Sequence, residues 1–178
     1  MSDWRSDVLK FWFGLDPASW WKADPALDHR IKQRFLKIWA EQRQLPVDAF
    51  LDHPLTALAA VILFDQFSRN MFRGHADAFS TDHLALAIAS EAVARDFDHA
   101  LASAERKFLY MPFQHSENLD DQNRAVLLFT EIGDDEQLGY ARKHRDVIKR
   151  FGRFPHRNAT LGRAPRADEL AAGKVRPF

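Results

Sequence analysis

The chain contains no cysteine among its 178 residues. This absence excludes disulfides, thiolate nucleophiles and cysteine-ligated zinc, and it is typical of a cytoplasmic protein. No apolar run approaches the roughly 18 residues that a membrane helix needs. The longest run covers residues 57–64, and the N-terminus has no apolar stretch of signal length. We therefore expect a cytoplasmic protein with no membrane segment.

The chain also lacks net charge, because 25 lysines and arginines balance 25 aspartates and glutamates. It has no overall positive field of the kind that a general nucleic-acid binder carries, so we do not expect nucleic acid as a partner. The charges are unevenly distributed. Residues 149–178 hold eight cations and two acids, whereas residues 117–137 hold seven acids and one arginine. Such blocks are usually solvated faces, but they can also attract each other within a fold.

Strand-like alternation is absent, and every long periodic segment has the 3.6-residue spacing of a helix. With no low-complexity linker and no break in composition, residues 1–178 are predicted to form a single all-α domain. Seven or eight helices joined by short loops indicate stacked antiparallel helical hairpins or a bundle. A strict repeat near 34 residues, which a regular tetratricopeptide array would have, is not visible.

Two segments in the first half of the chain illustrate the helical pattern. Asp24 and Pro25 provide a capping acid and a proline at the first helical position. The apolar stripe that follows comprises Leu27, Ile31, Phe35 and Ile38. A later helix opens at His53 and Pro54 and contains "LTALAAVILFDQFSRNMF". Its middle is apolar on all sides, which predicts the central buried helix.

Two signals set helix ends in the second half. Pro112 follows "ERKFLYM" and is predicted to interrupt that helix, because proline has no N–H and disfavours a helical residue before it. Asp134 and Gln137 resemble a capping box. That box opens a helix that is predicted to last to about Phe151, before Gly152.

The first polar cluster lies on the central helix. Asp65, Arg69 and Arg73 are spaced i, i+4 and i+8 and therefore share one face. Charges on so apolar a helix must be paired or must face a cavity, since an unpaired buried charge costs several kcal/mol or more. Two interpretations stay open here: a salt bridge from Asp65 that ties the helix to a neighbour, or one wall of a polar pocket.

The second cluster follows Pro112 in "MPFQHSENLDDQ". His115 and Glu117 are two residues apart, so they can act as acid and base or as metal ligands. They can equally serve as capping residues between two helices.

The third cluster is "RFGRFPHRNATLGR", residues 150–163. Phe151 and Phe154 are expected to anchor this loop, and Gly152 allows the backbone to turn. The side chains predicted to project as an array of donors are Arg150, Arg153, His156, Arg157 and Asn158. Arginine forks suit carboxylates and phosphates. The alternative is that these arginines cap helix C-termini and neutralise Asp65, Glu117 and Asp121 from inside.

Known catalytic and cofactor motifs are missing. There is no phosphate loop, dinucleotide fingerprint or "GxSxG" turn, so no cofactor is predicted. His115, His144 and His156 with Asp65 or Glu117 offer nitrogen and oxygen atoms to a metal, but no "HExxH" or comparable spacing accompanies them. We therefore predict no metal site.

Taken together, these segments resemble the bacterial domain of unknown function 924 family. The matching pieces are "FWFG" at 11–14, "FDQFSRNMFRG" at 64–74, "AFSTD" at 78–82, "ERKFLYMPFQHSE" at 105–117, "DDQ" at 120–122 and the stretch at 150–163. The resemblance implies an all-helical, tetratricopeptide-like fold and carries no catalytic residue with it. The chain departs from the family pattern at Ser68, where members often have proline, and at "APRADE" after "LGR".

We predict from these clusters a binding protein with a polar pocket for an anionic group on a small molecule or a peptide. Its candidate ligand-binding residues are Asp65, Arg69, Arg73, His115, Glu117, Arg153, His156, Arg157 and Asn158. One alternative is a hydrolase or transferase whose candidate catalytic residues are His115, Glu117, His156 and Asp65. The other is a buried structural ion-pair network with a protein-interaction role. The sequence does not decide between binding and catalysis, and it leaves homo-oligomerisation open.

Overall fold

A computed structural model describes residues 3–175, and within that range the chain is all-α, with eight helices and no strand. The helices are α1 (Trp4–Phe13), α2 (Pro25–Gln42), α3 (residues 54–71), α4 (Asp82–Ala94), α5 (Ser103–His115), α6 (Leu119–Ile132), α7 (Asp135–Phe151) and α8 (Ala167–Ala172). The predictions of fold class and helix number are confirmed, whereas a tetratricopeptide-like arrangement stays a prediction. In the described part of the chain, no helix is both long and apolar enough to cross a bilayer.

The chain forms two compact units, residues 1–109 and residues 110–178, and the division between them falls within α5. We call them unit 1 and unit 2. The prediction of a single domain over 1–178 stays a prediction.

Helix α3 is the centre of unit 1. It consists of an α-helical segment Pro54–Val61, a π-helical segment Ile62–Phe67 and a final α-helical turn Ser68–Met71. Every side chain from residue 57 to 67 is buried, which confirms the predicted central helix. The π-helical turn was not predicted. Such turns often occur at functional sites, and this one contains the fully buried Asp65.

A polar group in the middle of unit 1 joins α2, α3 and the N-terminus of α4. The hydroxyl oxygens of Ser68 and Thr81 lie 2.9 Å apart, and both lie within 2.8 Å of the carbonyl oxygen of Phe64. Trp39 Nε1 donates to Ser68 Oγ at 3.0 Å. Ser68, one of the departures from the family pattern, thus supplies a hydroxyl that a proline could not.

Trp39 also corrects the apolar stripe predicted for α2. Leu27, Ile31, Phe35 and Trp39 are the buried side chains of this helix, whereas Ile38 is only half-buried. Successive i, i+4 steps place the tryptophan, and not the isoleucine, on the ridge of the first three.

Helices α6 and α7 form an antiparallel hairpin in unit 2, joined by Gly133 and Asp134. Gly133 and Gly152 end the two helices with φ of 74° and 65°, a left-handed conformation that favours glycine. Asp134 Oδ1 accepts a hydrogen bond from the N–H of Gln137. The predicted start, end and length of α7 are therefore confirmed.

The predicted interruption at Pro112 is wrong, because α5 continues through this proline to His115. Side chains of unit 2 bind the carbonyl groups at its C-terminal end. Gln122 Nε2 donates to the carbonyl oxygens of Gln114 and Ser116, at 2.7 Å each, and Arg157 Nη2 donates to that of His115 at 3.1 Å. These three bonds satisfy carbonyl oxygens at the helix end that have no partner within the helix.

Candidate functional site

The nine predicted ligand-binding residues are divided between the units. Asp65, Arg69 and Arg73 belong to unit 1, and the other six belong to unit 2.

In unit 1, Arg69 bridges two acids on neighbouring helical segments. Its Nη1 lies 3.2 Å from Asp65 Oδ1, and its guanidinium donates to both oxygens of Asp82 at 2.8 and 3.0 Å. Burial alone would lower the pKa of Arg69, but the charges of Asp65 and Asp82 outweigh it and raise that pKa. Arg69 therefore ties α3 to α4.

Arg73 and its neighbour Asn70 bind one acid of α2. Arg73 donates to Asp28 through Nε at 2.6 Å and Nη2 at 2.9 Å, and Asn70 Nδ2 donates to the same carboxylate at 2.7 Å. The Arg73 side chain is 47% exposed. The hydrogen bond to Asp28 is the largest cause that raises the pKa of Arg73. In this arrangement, Arg69 and Arg73 act as links between helices.

In unit 2, the loop after α7 is anchored by aromatic side chains. Phe151 and Phe154 are buried, as predicted, and Gly152 turns the backbone between them. A short 3-10 turn, Pro155–Arg157, then places His156 and Arg157 next to Phe154. Phe154 is the side chain around which the polar residues of this loop are arranged.

Glu117 is bound by the loop mainly through Arg163, which was not singled out, and the charge of Arg157, one of the arginines predicted to neutralise it, also acts on it. Its two oxygens accept hydrogen bonds from Arg163 at 2.6 and 3.0 Å, and one of them also accepts from the Phe154 N–H at 2.7 Å. Burial opposes ionisation of Glu117, but the hydrogen bonds from Arg163 and Phe154 outweigh it and lower the pKa. Glu117 is therefore held as a carboxylate.

Glu169, on α8, is bound by a second set of loop donors. Arg153 donates to both of its oxygens at 2.6 and 2.9 Å, and Asn158 Nδ2 and the Arg166 N–H donate at 2.9 and 2.7 Å. The Arg153 hydrogen bonds are the main reason that the pKa of Glu169 falls to about 2. Arg153 and Asn158 were predicted to project outward, and the structure engages both with Glu169.

Asn158 connects these two ion pairs. Its amide nitrogen donates to Glu169, and its Oδ1 accepts from Arg163 Nε at 3.0 Å. A continuous hydrogen-bonded network therefore runs from Glu117 to Arg153. We call Glu117, Arg153, Asn158, Arg163 and Glu169 the loop clamp. Nearby, Arg157 binds the carbonyl oxygen of His115 at the C-terminus of α5, as the capping interpretation predicted. Arg166, which was not part of that prediction, binds the carbonyl oxygen of Phe151 at the C-terminus of α7.

Beside the loop clamp, two histidines and an arginine lie around the Phe154 ring, and a third histidine lies next to one of them. The centroids of His144 and His156 each lie 5.6 Å from the Phe154 centroid, and the Arg157 guanidinium carbon lies 4.5 Å from it. The His115 ring lies 6.3 Å from that of His144. We call His115, His144, His156 and Arg157 the histidine–arginine cluster.

His144 is the buried member of this cluster. Its Nδ1 lies 2.8 Å from the carbonyl oxygen of Tyr140. Because a carbonyl only accepts, Nδ1 carries the proton in that bond. Burial is the main cause that lowers the pKa of His144 to about 3, and the charges of His115, Arg157 and His156 lower it further. The ring is therefore neutral near pH 7.

Several residues that form ion pairs or ring contacts in the structure were not identified from the sequence as candidate site residues. His144 was considered only as a possible metal ligand, and the partners Asp28, Asp82, Arg163 and Glu169 were not singled out. Arg163 lies in the same arginine-rich stretch, which is the one signal that could have identified it. Among residues 3–175, no three histidine, aspartate or glutamate side chains are positioned to hold a metal ion together.

Comparison with known proteins leads to one family. A sequence profile described as "Bacterial protein of unknown function (DUF924)" matches residues 8–172. A solved structure of a protein of unknown function from Agrobacterium tumefaciens is 38% identical, with a TM-score of 0.87 over 94% of this chain and 95% of that one. No curated protein matches the chain.

Proposed function

We propose that this chain, which belongs to the DUF924 family of bacterial proteins of unknown function, binds an anionic group at its histidine–arginine cluster. The cluster retains His115, His156 and Arg157 of the predicted site and adds His144. The ligand class is a phosphate or carboxylate carried by a small molecule or a peptide. The cytoplasmic location predicted from the sequence forms part of this proposal.

The observation that carries the proposal is the grouping of three imidazoles and a guanidinium. The His115 ring lies 6.3 Å from that of His144, and His144, His156 and Arg157 all lie against the Phe154 ring. Arg157 carries a permanent positive charge, and each imidazole gains one when it is protonated, so an anion offsets the repulsion among these groups. Guanidinium and imidazole groups are also suitable hydrogen-bond donors to phosphate and carboxylate oxygens.

Glu117 lies two residues from His115, and the charge of Arg157 acts on it, but its main partners lie outside the cluster. Arg163 binds both of its oxygens, and the Phe154 N–H binds one of them. A carboxylate held in this way competes less for Arg157 than one without such partners would. The loop clamp therefore supports the anion site by engaging the acid that follows α5.

The same geometry gives the hydrolase or transferase alternative less support. A general acid needs a pKa raised toward the working pH, whereas hydrogen bonds to Arg163 and Phe154 lower the pKa of Glu117. Glu117 is thus suited to orienting the loop and not to donating a proton. The ion-pair alternative agrees with the contacts of Arg153 and Asn158, which lie in the clamp, while its protein-interaction role stays a prediction.

The experiment is a thermal-shift titration of the full chain with phosphates and carboxylates. A ligand at about 100 times its Kd stabilises the folded state by about 2.7 kcal/mol. We expect such a shift in the wild type and in Arg150→Ala, a matched control for an exposed arginine of the same stretch. We expect a much smaller shift in folded Arg157→Ala and His156→Ala. Equal shifts in all four proteins would overturn the proposed site.

A further inference from the structure

We infer that the outer face of α7 is a docking surface for an acidic helix of a protein partner. Three exposed cations form this surface, and we call Arg142, Lys143 and Lys149 the α7 basic face. His144 of the histidine–arginine cluster is buried on the opposite side of the same helix. The inference therefore goes beyond the proposed function and does not depend on it.

The cations of the α7 basic face have no acidic partner. None of the three forms an ion pair within residues 3–175. Residues 142–150 contain one acid, Asp146, whose ion pair is with Arg145 at 3.4 Å. Arg150 ends this segment, but its guanidinium lies over the ring of the buried Phe151 at 4.7 Å, so we place it outside the face. An uncompensated positive surface thus remains in a chain with no net charge.

The helix dipole accounts for only one of these cations. A cation near the C-terminus of a helix is stabilised by the unpaired carbonyls there, but the effect falls off within the last turn. Lys149 lies in the last turn of α7, whereas Arg142 and Lys143 lie near its middle. The two central cations gain no such stabilisation, which favours a role in binding.

Gly139 exposes backbone on the same face. It precedes Arg142 by three positions and Lys143 by four, so it lies between them on the helix surface. Glycine is less favourable than alanine in a helix interior. A Cβ at this position would meet nothing within 4 Å, so no internal contact requires glycine here. The backbone of a partner helix can therefore approach closely at this point.

The spacing of the charges favours an acidic helix over a continuous polyanion. Lys149 lies two turns beyond Arg142, about 10 Å along the axis, and Asp146 lies between them. A helix that carries acids at the same spacing, with a cation between them, complements all of these charges. The phosphate backbone of a nucleic acid would instead place negative charge against Asp146. An acidic helix is the partner whose charges match this face.

The test is fluorescence anisotropy of the full chain with a labelled, alanine-rich peptide of about 20 residues, which is long enough to be helical in water. The matched peptide contains the segment "EEAAKAAE". A scrambled peptide has the same composition without this spacing, and a single-stranded oligonucleotide of equal charge is the alternative probe. The titrations are made at low salt, where charge interactions are screened least.

We expect the matched peptide to bind the wild type at least about tenfold more tightly than the scrambled peptide, equivalent to two or three exposed ion pairs. The double variant Arg142→Glu, Lys143→Glu should lose this preference. A peptide with lysines in place of its glutamate pair should restore binding to that variant. Both positions are exposed, so the variant is expected to fold, and circular dichroism checks this.

Two further variants separate helix packing from a general effect of charge. Gly139→Leu keeps every charge but covers the exposed backbone, and it should weaken binding of the matched peptide. The matched control is Lys32→Glu, Lys37→Glu, which reverses two exposed cations of α2 and should leave the affinity unchanged. Unchanged binding by Gly139→Leu, or an equal loss in the α2 control, would contradict docking at this face.

The remaining outcomes identify other occupants. Equal affinity for the matched and scrambled peptides, or no rescue by the lysine peptide, would overturn the inference. Tighter binding of the oligonucleotide would overturn it in favour of nucleic acid. Self-association of the wild type in sedimentation, abolished by Arg142→Glu, Lys143→Glu, would overturn it in favour of a second copy of this chain. None of these results bears on the histidine–arginine cluster, which the thermal-shift titration tests separately.

Discussion

The Arg163 guanidinium binds the Glu117 carboxylate through two parallel hydrogen bonds of 2.6 and 3.0 Å. The two residues are separated by 46 positions, so this pair fixes the loop after α7 to the segment that follows α5. Arg163 also donates to the Phe154 carbonyl oxygen and to Asn158 Oδ1. Arg163 of the loop clamp thus fixes the backbone of Phe154, whose ring contacts members of the histidine–arginine cluster.

Breaking this pair should destabilise the protein measurably. Both side chains are about three-quarters buried. Glu117→Ala and Arg163→Ala are each expected to lower the free energy of unfolding by about 2 kcal/mol, since each leaves a charged hydrogen-bonding group without its main partner. Urea denaturation of the single and double variants measures this.

A double variant that loses the sum of the two single effects would contradict a direct interaction between these side chains. The matched control is Arg145→Ala. Arg145 lies 3.4 Å from the exposed Asp146, so its removal should cost less than about 0.5 kcal/mol.

Glu169 should make unfolding sensitive to acid. Its pKa falls from 4.5 to about 2 in the folded protein, with the Arg153 hydrogen bonds as the main cause. A carboxyl group with a depressed pKa contributes stability that is fully present above pH 4.5 and is lost as the pH falls toward 2. Glu169→Gln should therefore be less stable than wild type at neutral pH and should show a flatter pH dependence below about 4.5.

Urea midpoints measured at several pH values give the comparison. Asp168→Asn, a change at the adjacent exposed position, should retain the wild-type slope. A Glu169→Gln curve parallel to that of wild type would show that Glu169 is not the group responsible.

His144 should produce a second pH effect in a higher range. Its pKa falls from 6.5 to about 3 on folding, mainly through burial. Below pH 6.5 the unfolded chain takes up a proton that the folded chain does not, so stability is full above about pH 6.5 and decreases as the pH falls toward 3. His144→Gln should remove this component while keeping a neutral polar side chain.

The measurement is the free energy of unfolding between pH 7 and 4, where His144 contributes and Glu169 contributes little. Equal slopes for wild type and His144→Gln in this range would mean that His144 is protonated in the folded protein as readily as in the unfolded chain. His83→Gln serves as the exposed control.

In unit 1, the two arginines of α3 should differ in their effect on stability. Arg69→Ala removes a cation from beside Asp65, whose side chain is fully buried, and should cost about 3 kcal/mol. Arg73→Ala removes a half-exposed partner of Asp28 and should cost less than about 1 kcal/mol. Equal urea midpoints for the two variants would contradict this ranking.

Much of the fold could be predicted because its signals are local. Asp134 with Gln137, and Gly152 after Phe151, define the ends of α7 through contacts within a few residues. The apolar run in α3 is long enough to predict burial on every side. The effect of Pro112 was misjudged because local propensity does not show the contacts that α5 makes in the fold, such as the bond to the His115 carbonyl from Arg157, 42 residues away.

The site was harder to predict because charge alone does not determine pairing. Glu117 could pair with any nearby arginine, and only the path of the loop makes Arg163 its partner. His144 lies on the apolar face of α7 between Ala141 and Ile148, a pattern that indicates an ordinary core position. Its role depends on side chains brought from α5 and the loop, which periodicity cannot show.

The central claim is that the histidine–arginine cluster binds an anion, and the most direct measurement is side-chain NMR of the histidine rings. The chain has eight histidines. On titration with phenyl phosphate, the ring nitrogens of His115, His144 and His156 should shift together along a saturable curve, while exposed histidines such as His29 and His83 should not. Unchanged cluster resonances at saturating phosphate, or equal shifts at the exposed rings, would contradict the account.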